Sequence, residues 1–213
     1  MKTKYIIFDL DDTLMYEVDY LKSAYKEIVS IVDNEIQEKL YEEMFSKYKE
    51  GENVFEFLNT QYSKFEVKDL LEIYRNHYPK IHLNENAKEL LLNLKNQGYK
   101  IGLITDGRSV TQRNKLNALG VETIFDKIIV SEEFGSTKPD QRNYCAFIEE
   151  GIDDYYYIAD NPKKDFVTPN TLGWISICLL NNGQNIHPQN FELEDEYLPK
   201  YRIKNLNEIS KLI

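Results

Sequence analysis

The chain has 213 residues, room for one globular core and a small accessory domain, since domains run to ~100–200 residues. Hydrophobic residues make up 42% and charged residues 29%, which excludes wholesale disorder and any collagen-like or low-complexity class. Lys and Arg number 26 against 36 Asp and Glu, a net charge of -10 with no basic block or stripe, so the expectation is no nucleic-acid partner. A small phosphate ester stays compatible with that sign, because a local cation can overcome the global field.

The opening Met1-Lys2-Thr3-Lys4 leads into only four apolar residues, Tyr5 to Phe8, before Asp9 ends the run. That is neither a secretory signal nor a spanning helix, so a cytosolic protein without a membrane partner is expected. Cys145 and Cys178 lie in separate apolar segments without metal-ligand spacing and read as small buried hydrophobes.

Tyr5-Ile6-Ile7-Phe8 is rich in β-formers and closed by acidic residues, the pattern of a buried strand in a parallel sheet. From Asp19 to Tyr78 the apolar residues recur at helical steps: Leu21, Tyr25, Ile28 and Val32; Leu40, Met44 and Tyr48; Val67, Leu70, Leu71 and Tyr74. Beyond Pro79 helices and strands alternate. Ala87, Leu90, Leu91 and Leu94 form a stripe that Gly98 is placed to end, and Lys100 to Thr105 reads as a strand. Ser109 is expected to cap a helix carrying Val110, Leu116 and Leu119 that ends near Gly120. Lys127 to Ser131 reads as a strand, Asp140 to Glu150 as a helix, Tyr155 to Ala159 and Trp174 to Leu179 as strands, and Asn181 to Asn190 as a loop.

Strands alternating with helices imply right-handed crossovers and a doubly wound parallel sheet, an α/β core. The expected division is a core of residues 1–14 and 84–213, with a helical cap domain of residues 15–83 inserted after the first strand. In such sheets ligands sit outside the carboxyl ends of the strands, where an insertion at this point acts as a lid.

Polar residues stand where each strand stops: Asp9-Leu10-Asp11-Asp12-Thr13, Thr105-Asp106-Gly107, Lys138-Pro139, and Asp160-Asn161-Pro162-Lys163-Lys164-Asp165. Each alone is ordinary turn and cap chemistry; together they form a rim. Carboxylates converging there would repel one another unless a cation were present, and an oxygen donor set of Asp9, Asp11, Asp160 and Asp165 favours Mg²⁺. The Thr105 hydroxyl, backbone N–H groups near Gly107 and a mobile Lys138 ammonium are anion-binding groups. Nucleophile, metal and phosphate ligands together point to phosphoryl transfer through an aspartyl-phosphate.

These four segments resemble the motifs of the haloacid dehalogenase-like (HAD) superfamily of hydrolases, in that family's order. Ala159 stands where the family usually has Gly, and the insertion resembles a HAD cap only in position and helical character. The resemblance implies that Asp9 attacks phosphorus, and that Asp11 protonates the leaving oxygen and then activates water. It also implies Mg²⁺ held by Asp9, the Asp11 carbonyl and Asp160, with Asp165 binding it directly or through one of those ligands or a water, and with Thr105 and Lys138 on the transferring oxygens. Asp106, Gly107 and Arg108 complete the substrate-binding set, Arg108 being equally readable as a surface charge.

An acid at position 11 implies a phosphatase or phosphomutase acting on a small phosphorylated metabolite, a sugar or nucleotide phosphate. His77 and His82 near the hinge and His187 in a late loop are not obviously placed for a mutase. A non-catalytic protein on the same fold is the alternative from another class. Asp12 reads as a solvated turn residue, most aromatic residues between Tyr16 and Phe57 as packing, and Lys163 and Lys164 as neutralising charge. Oligomeric state stays open.

Overall fold

The computed structural model describes residues 3–33 and 35–213, so Met1 and Lys2, where the reading of the amino terminus began, lie outside the described residues. β1 (Lys4–Phe8), β2 (Lys100–Thr105), β3 (Lys127–Val130), β4 (Asp154–Ala159), β5 (Ile175–Leu179) and β6 (Tyr201–Ile203) form one sheet in the order β3-β2-β1-β4-β5-β6. Every pairing is parallel. This is the doubly wound order expected of a Rossmann-like core, with the switch point between β1 and β4.

β1 shows why the sheet is buried on both faces. Tyr5 and Ile7 join one cluster with Tyr144, Phe147, Tyr157 and Trp174, while Ile6 and Phe8 join the opposite one with Leu91, Leu103, Leu116 and Ile158. A strand covered on both sides has no polar alternation, hence its continuous apolar run. Burial of each such side chain contributes ~1.5–3 kcal/mol, offsetting the ordering of the chain.

The helical insertion comprises α1 (Glu17–Val32), α2 (Gln37–Lys49), α3 (Val54–Gln61) and α4 (Val67–Asn76). Leu21, Tyr25, Ile28, Leu40, Met44, Leu58 and Leu70 form a separate apolar cluster there. Its two ends are pinned together: the Asn84 amide donates to the Leu14 carbonyl at 2.8 Å, and the Asn84 side chain to the Thr13 carbonyl at 2.9 Å. No helix among the described residues is long and apolar enough to cross a membrane.

On the core, α5 (Ala87–Asn96) buries the stripe read from the sequence. α6 (Ser109–Leu119) differs from its reading in two ways. Ser109 is its first helical residue rather than its cap, its hydroxyl donating to Glu133. Val110 is exposed, and the buried face runs through Gln112, Lys115, Leu116 and Leu119. Ser131 opens α7 (Ser131–Phe134) instead of ending β3. The helix expected over 140–150 is the short α8 (Gln141–Cys145), for which the Asp140 carboxylate caps the Arg142 amide. α9 (Pro162–Asp165) and α10 (Val167–Thr171) follow β4. Cys178 is buried and Cys145 half-buried, both as free thiols.

Gly102 of β2 leaves no room for a side chain: a Cβ there would lie 2.4 Å from the Phe147 ring and 3.1 Å from Ile7. Both neighbours are fully buried and cannot swing into solvent. Gly102→Ala is therefore expected to lose about 1–3 kcal/mol through overpacking, read as a lower urea midpoint at unchanged slope. A wild-type midpoint would contradict this packing.

Candidate active site

The carboxyl ends of β1 and β4 deliver the first two side chains. Asp9 follows β1, its amide still donating to the Ile158 carbonyl of β4 at 2.9 Å, and Asp160 follows β4 directly. Asp165, the last residue of α9, turns back to accept from the Asn161 amide at 3.0 Å. All three carboxylates are buried and each brings an oxygen within 4.8 Å of the others. Oxygen donors this close, with no apolar spacer, suit a hard divalent cation.

Lys138 makes the arrangement tolerable. Its Nζ, with no side-chain exposure, lies 2.8 Å from Asp9 Oδ1 and 2.8 Å from Asp165 Oδ1. Burial alone would lower the ammonium, but Asp165 and Asp9 outweigh it and hold it well above the usual lysine value. Burial pushes Asp9 up to about 6, opposed by Lys138 and reinforced by Asp165. Asp160 is pushed up to about 8 by burial, then by Asp165 and Asp9. The mobile ammonium expected at position 138 is thus a clamped one, and its own backbone amide is fixed by the Asp106 carboxylate at 3.1 Å.

Thr105 is buried at the end of β2, where its hydroxyl accepts from Gln112. Asp106 also faces Lys164 Nζ, 3.4 Å away, so Lys164 does neutralise a neighbouring acid. The Gly107 amide donates to the Ser131 hydroxyl at 2.9 Å, so it serves the β2–β3 connection in this conformation rather than standing open to an anion. Arg108 is exposed with its guanidinium 3.8 Å from Glu132, outside the cluster. The Asp11 carboxylate is not part of the Asp9, Asp160 and Asp165 group; it lies against α6, accepting from Lys115 Nζ at 2.7 Å and from Gln112 Nε2 at 2.9 Å, the amide that also donates to Thr105.

Asp12 is not solvated. It is buried with φ 55°, accepts from the Glu17 amide at 2.9 Å and the Ile186 amide at 3.0 Å, and so ties the start of α1 to the 181–190 loop. Burial raises its carboxyl. From the same loop Asn185 donates to Asp160 Oδ2 at 2.9 Å and Gln189 to the Asp160 carbonyl at 2.6 Å. Glu17 is pushed up to about 7 by burial and by Asp11, against Lys115.

Gln112, Lys115, Glu17, Asn185 and Gln189 were missed in the sequence reading. One signal was available: Gln112 and Lys115 stand where the buried stripe of Leu116 and Leu119 continues toward the start of α6. Polar side chains at core positions need buried partners, and here these are Asp11 and Thr105.

Acid groups at the switch point of a doubly wound sheet, grouped around a buried lysine, define a class, and residues 6–166 match the family model for haloacid dehalogenase-like hydrolases. The chain belongs to that family. It is 28% identical over 99% of its length, and 96% of the relative's, to the glyceraldehyde 3-phosphate phosphatase of Methanocaldococcus jannaschii. It is also 28% identical over 58% of its length, and 53% of the relative's, to the Escherichia coli pyrimidine 5'-nucleotidase YjjG. Among solved structures it resembles a HAD phosphatase from Thermococcus onnurineus, with TM-score 0.61, 20% identity, and coverage of 100% of this chain and 97% of that one. The Bacillus subtilis HAD-hydrolase YfnB, solved bound to magnesium, has TM-score 0.68 at 19% identity, covering 100% of this chain and 99% of that one.

The raised carboxyls give a signed pH dependence. Asp9, Asp160 and Glu17 hold protons in the folded chain above the pH at which the unfolded chain releases them. Their contribution to stability is therefore whole near pH 4 and is lost as pH rises through about 6, 7 and 8. The melting temperature of the metal-free protein is expected to fall between those limits, and a divalent cation to raise it more at the alkaline end. A cation effect independent of pH would contradict a site made of these carboxylates.

Proposed function

We propose that this hydrolase is a Mg²⁺-dependent phosphatase of small phosphomonoesters, a sugar or nucleotide phosphate, acting through an aspartyl-phosphate on Asp9. The observation that carries the reading is Lys138 buried between Asp9 and Asp165, 2.8 Å from each. An ammonium so placed leaves Asp9 as a nucleophile beside two more carboxylates, and would meet the charge of an incoming phosphoryl oxygen. The relatives' activities, a triose phosphate phosphatase and a nucleotidase, support the substrate class.

Asp9, Asp160 and Asp165, with the Asp11 carbonyl, would hold the Mg²⁺, which when bound supplies charge neutralisation and orientation of the phosphate. The chain's own residues do the rest. An Asp9 oxygen bonds to phosphorus as the ester oxygen leaves, taking a proton from Asp11. Water then attacks the same phosphorus, passes a proton to Asp11, and the Asp9 carboxylate is regenerated. The Thr105 hydroxyl and the Lys138 ammonium hold the transferring oxygens.

We assign residues 15–83 as the cap and residues 1–14 and 84–213 as the core. The hydrogen bonds joining Asn84 to Leu14 and Thr13 support that hinge, since they close the insertion where it leaves the core. Water rather than a sugar hydroxyl is the final acceptor. His77 is engaged on both ring nitrogens, by the Tyr74 carbonyl at 2.8 Å and the Ser23 hydroxyl at 3.2 Å, while His82 and His187 are exposed.

The purified protein is expected to release phosphate from 4-nitrophenyl phosphate with Mg²⁺ and to lose that turnover in excess chelator. Asp9→Asn should fall to background, and Asp11→Asn by roughly 10²–10⁴-fold. Wild-type turnover in Asp9→Asn overturns the nucleophile assignment; phosphate that returns to another hydroxyl of a sugar substrate makes the enzyme a mutase.

A further inference from the structure

Both oxygens of the Asp11 carboxylate are held from one helix. Lys115 Nζ donates to Oδ1 at 2.7 Å and Gln112 Nε2 to Oδ2 at 2.9 Å. These donors are themselves enclosed. Lys115 and Gln112 are each about as buried as core leucines, at 2% and 1% exposure. The Lys115 ammonium lies 4.4 Å from the centroid of the Tyr20 ring of α1, and the Tyr20 hydroxyl donates to the Tyr74 carbonyl at 2.7 Å. Gln112 also donates to the Thr105 hydroxyl, so one amide spans the acid and the phosphate-binding residue.

Burying a lysine costs free energy unless its charge is met, and a buried ion pair is weak evidence for stability by itself. A leucine at position 115 would continue the stripe of Leu116 and Leu119 at no such cost. The fork formed by Gln112 and Lys115 instead fixes the plane and distance of one carboxylate, which is what a proton acceptor needs.

We infer that Gln112 and Lys115 are positioning residues that set the Asp11 carboxylate for the water step of the reaction. The inference rests on the phosphatase reading above. In that step the water oxygen bonds to phosphorus, the Asp9 oxygen–phosphorus bond breaks with its electron pair returning to the Asp9 carboxylate, and the water proton passes to Asp11. A carboxylate held as an acceptor by an ammonium and an amide keeps its remaining lone pairs aimed in one direction. The fork therefore bears on the step in which Asp11 acts as an acceptor, the attack of water.

The test separates the two halves with 4-nitrophenyl phosphate, whose leaving group departs without an acid. Lys115→Met is expected to lower kcat by roughly tenfold or more while kcat/KM stays within about twofold, with a burst of 4-nitrophenol and accumulated phosphoryl-enzyme. Gln112→Met should show a smaller version, and Lys115→Arg should restore most of kcat. Equal loss of kcat and kcat/KM without a burst overturns the inference. So does a loss that follows the melting temperature across the variants. A crystal structure of Lys115→Met gives a readout apart from turnover: Asp11 should leave its present rotamer, and an unmoved carboxylate overturns the inference even if the wild-type protein hydrolyses nothing. Wild-type protein without phosphatase activity defeats the phosphatase reading instead, and the two failures stay distinct.

Discussion

The site depends on one buried ammonium. Asp9, Asp160 and Asp165 stand at the switch point of the sheet with oxygens inside 4.8 Å, and such a cluster without a cation would empty itself of charge by taking up protons. Lys138 lies between Asp9 and Asp165, and the fold spends much of its local detail on keeping it there: β1 presents Asp9, α9 returns Asp165, and Asp106 fixes the lysine backbone. Taking away one partner of a buried pair leaves an uncompensated charge, typically a loss of ~3–5 kcal/mol. Geometry and stability are therefore bound together at this point.

The helical insertion is coupled to that centre by both apolar and polar contacts: Tyr20 of α1 joins the apolar cluster of the core, and Tyr74 of α4 packs against that cluster and the insertion's own. Asp12 joins the first turn of α1 to the 181–190 loop, and the same loop reaches Asp160 through Asn185 and Gln189. Lys115 sits between Asp11 and the Tyr20 ring. Hydrogen bonds of this kind are each worth only ~0.5–1.5 kcal/mol net, and they add to that apolar packing.

How much of this could be read from the residues varied with the range of the interactions involved. β1, β2 and β4 were legible because a strand buried on both faces is apolar without interruption, and the polar residues that end β1 and β4 are the ones that gather at the switch point. The doubly wound order followed from the alternation of elements. β6 escaped notice because Tyr201–Ile203 buries only Ile203, leaving no run to detect. α8 is shorter than its apolar pattern because the chain turns after Cys145, and Phe147 is buried from that turn rather than from a helix. Asp12 and Val110 were misread for a common reason: local pattern says which side of a turn or helix can be buried, while contacts distant in sequence decide which side is. The Ile186 amide that holds Asp12 arrives from far along the chain. Gln112 and Lys115 likewise become meaningful only once Asp11 is seen opposite them.

The central claim is that Asp9 carries the phosphoryl group between ester and water. Rapid acid quench of the enzyme during turnover of a phosphate ester with Mg²⁺, followed by peptide mass mapping, tests it most directly. The account predicts the added mass of one phosphoryl group on the peptide containing Asp9, lost when the labelled enzyme is left to turn over without fresh substrate. Turnover with that peptide never modified, or with the phosphoryl group on any other residue, would contradict it.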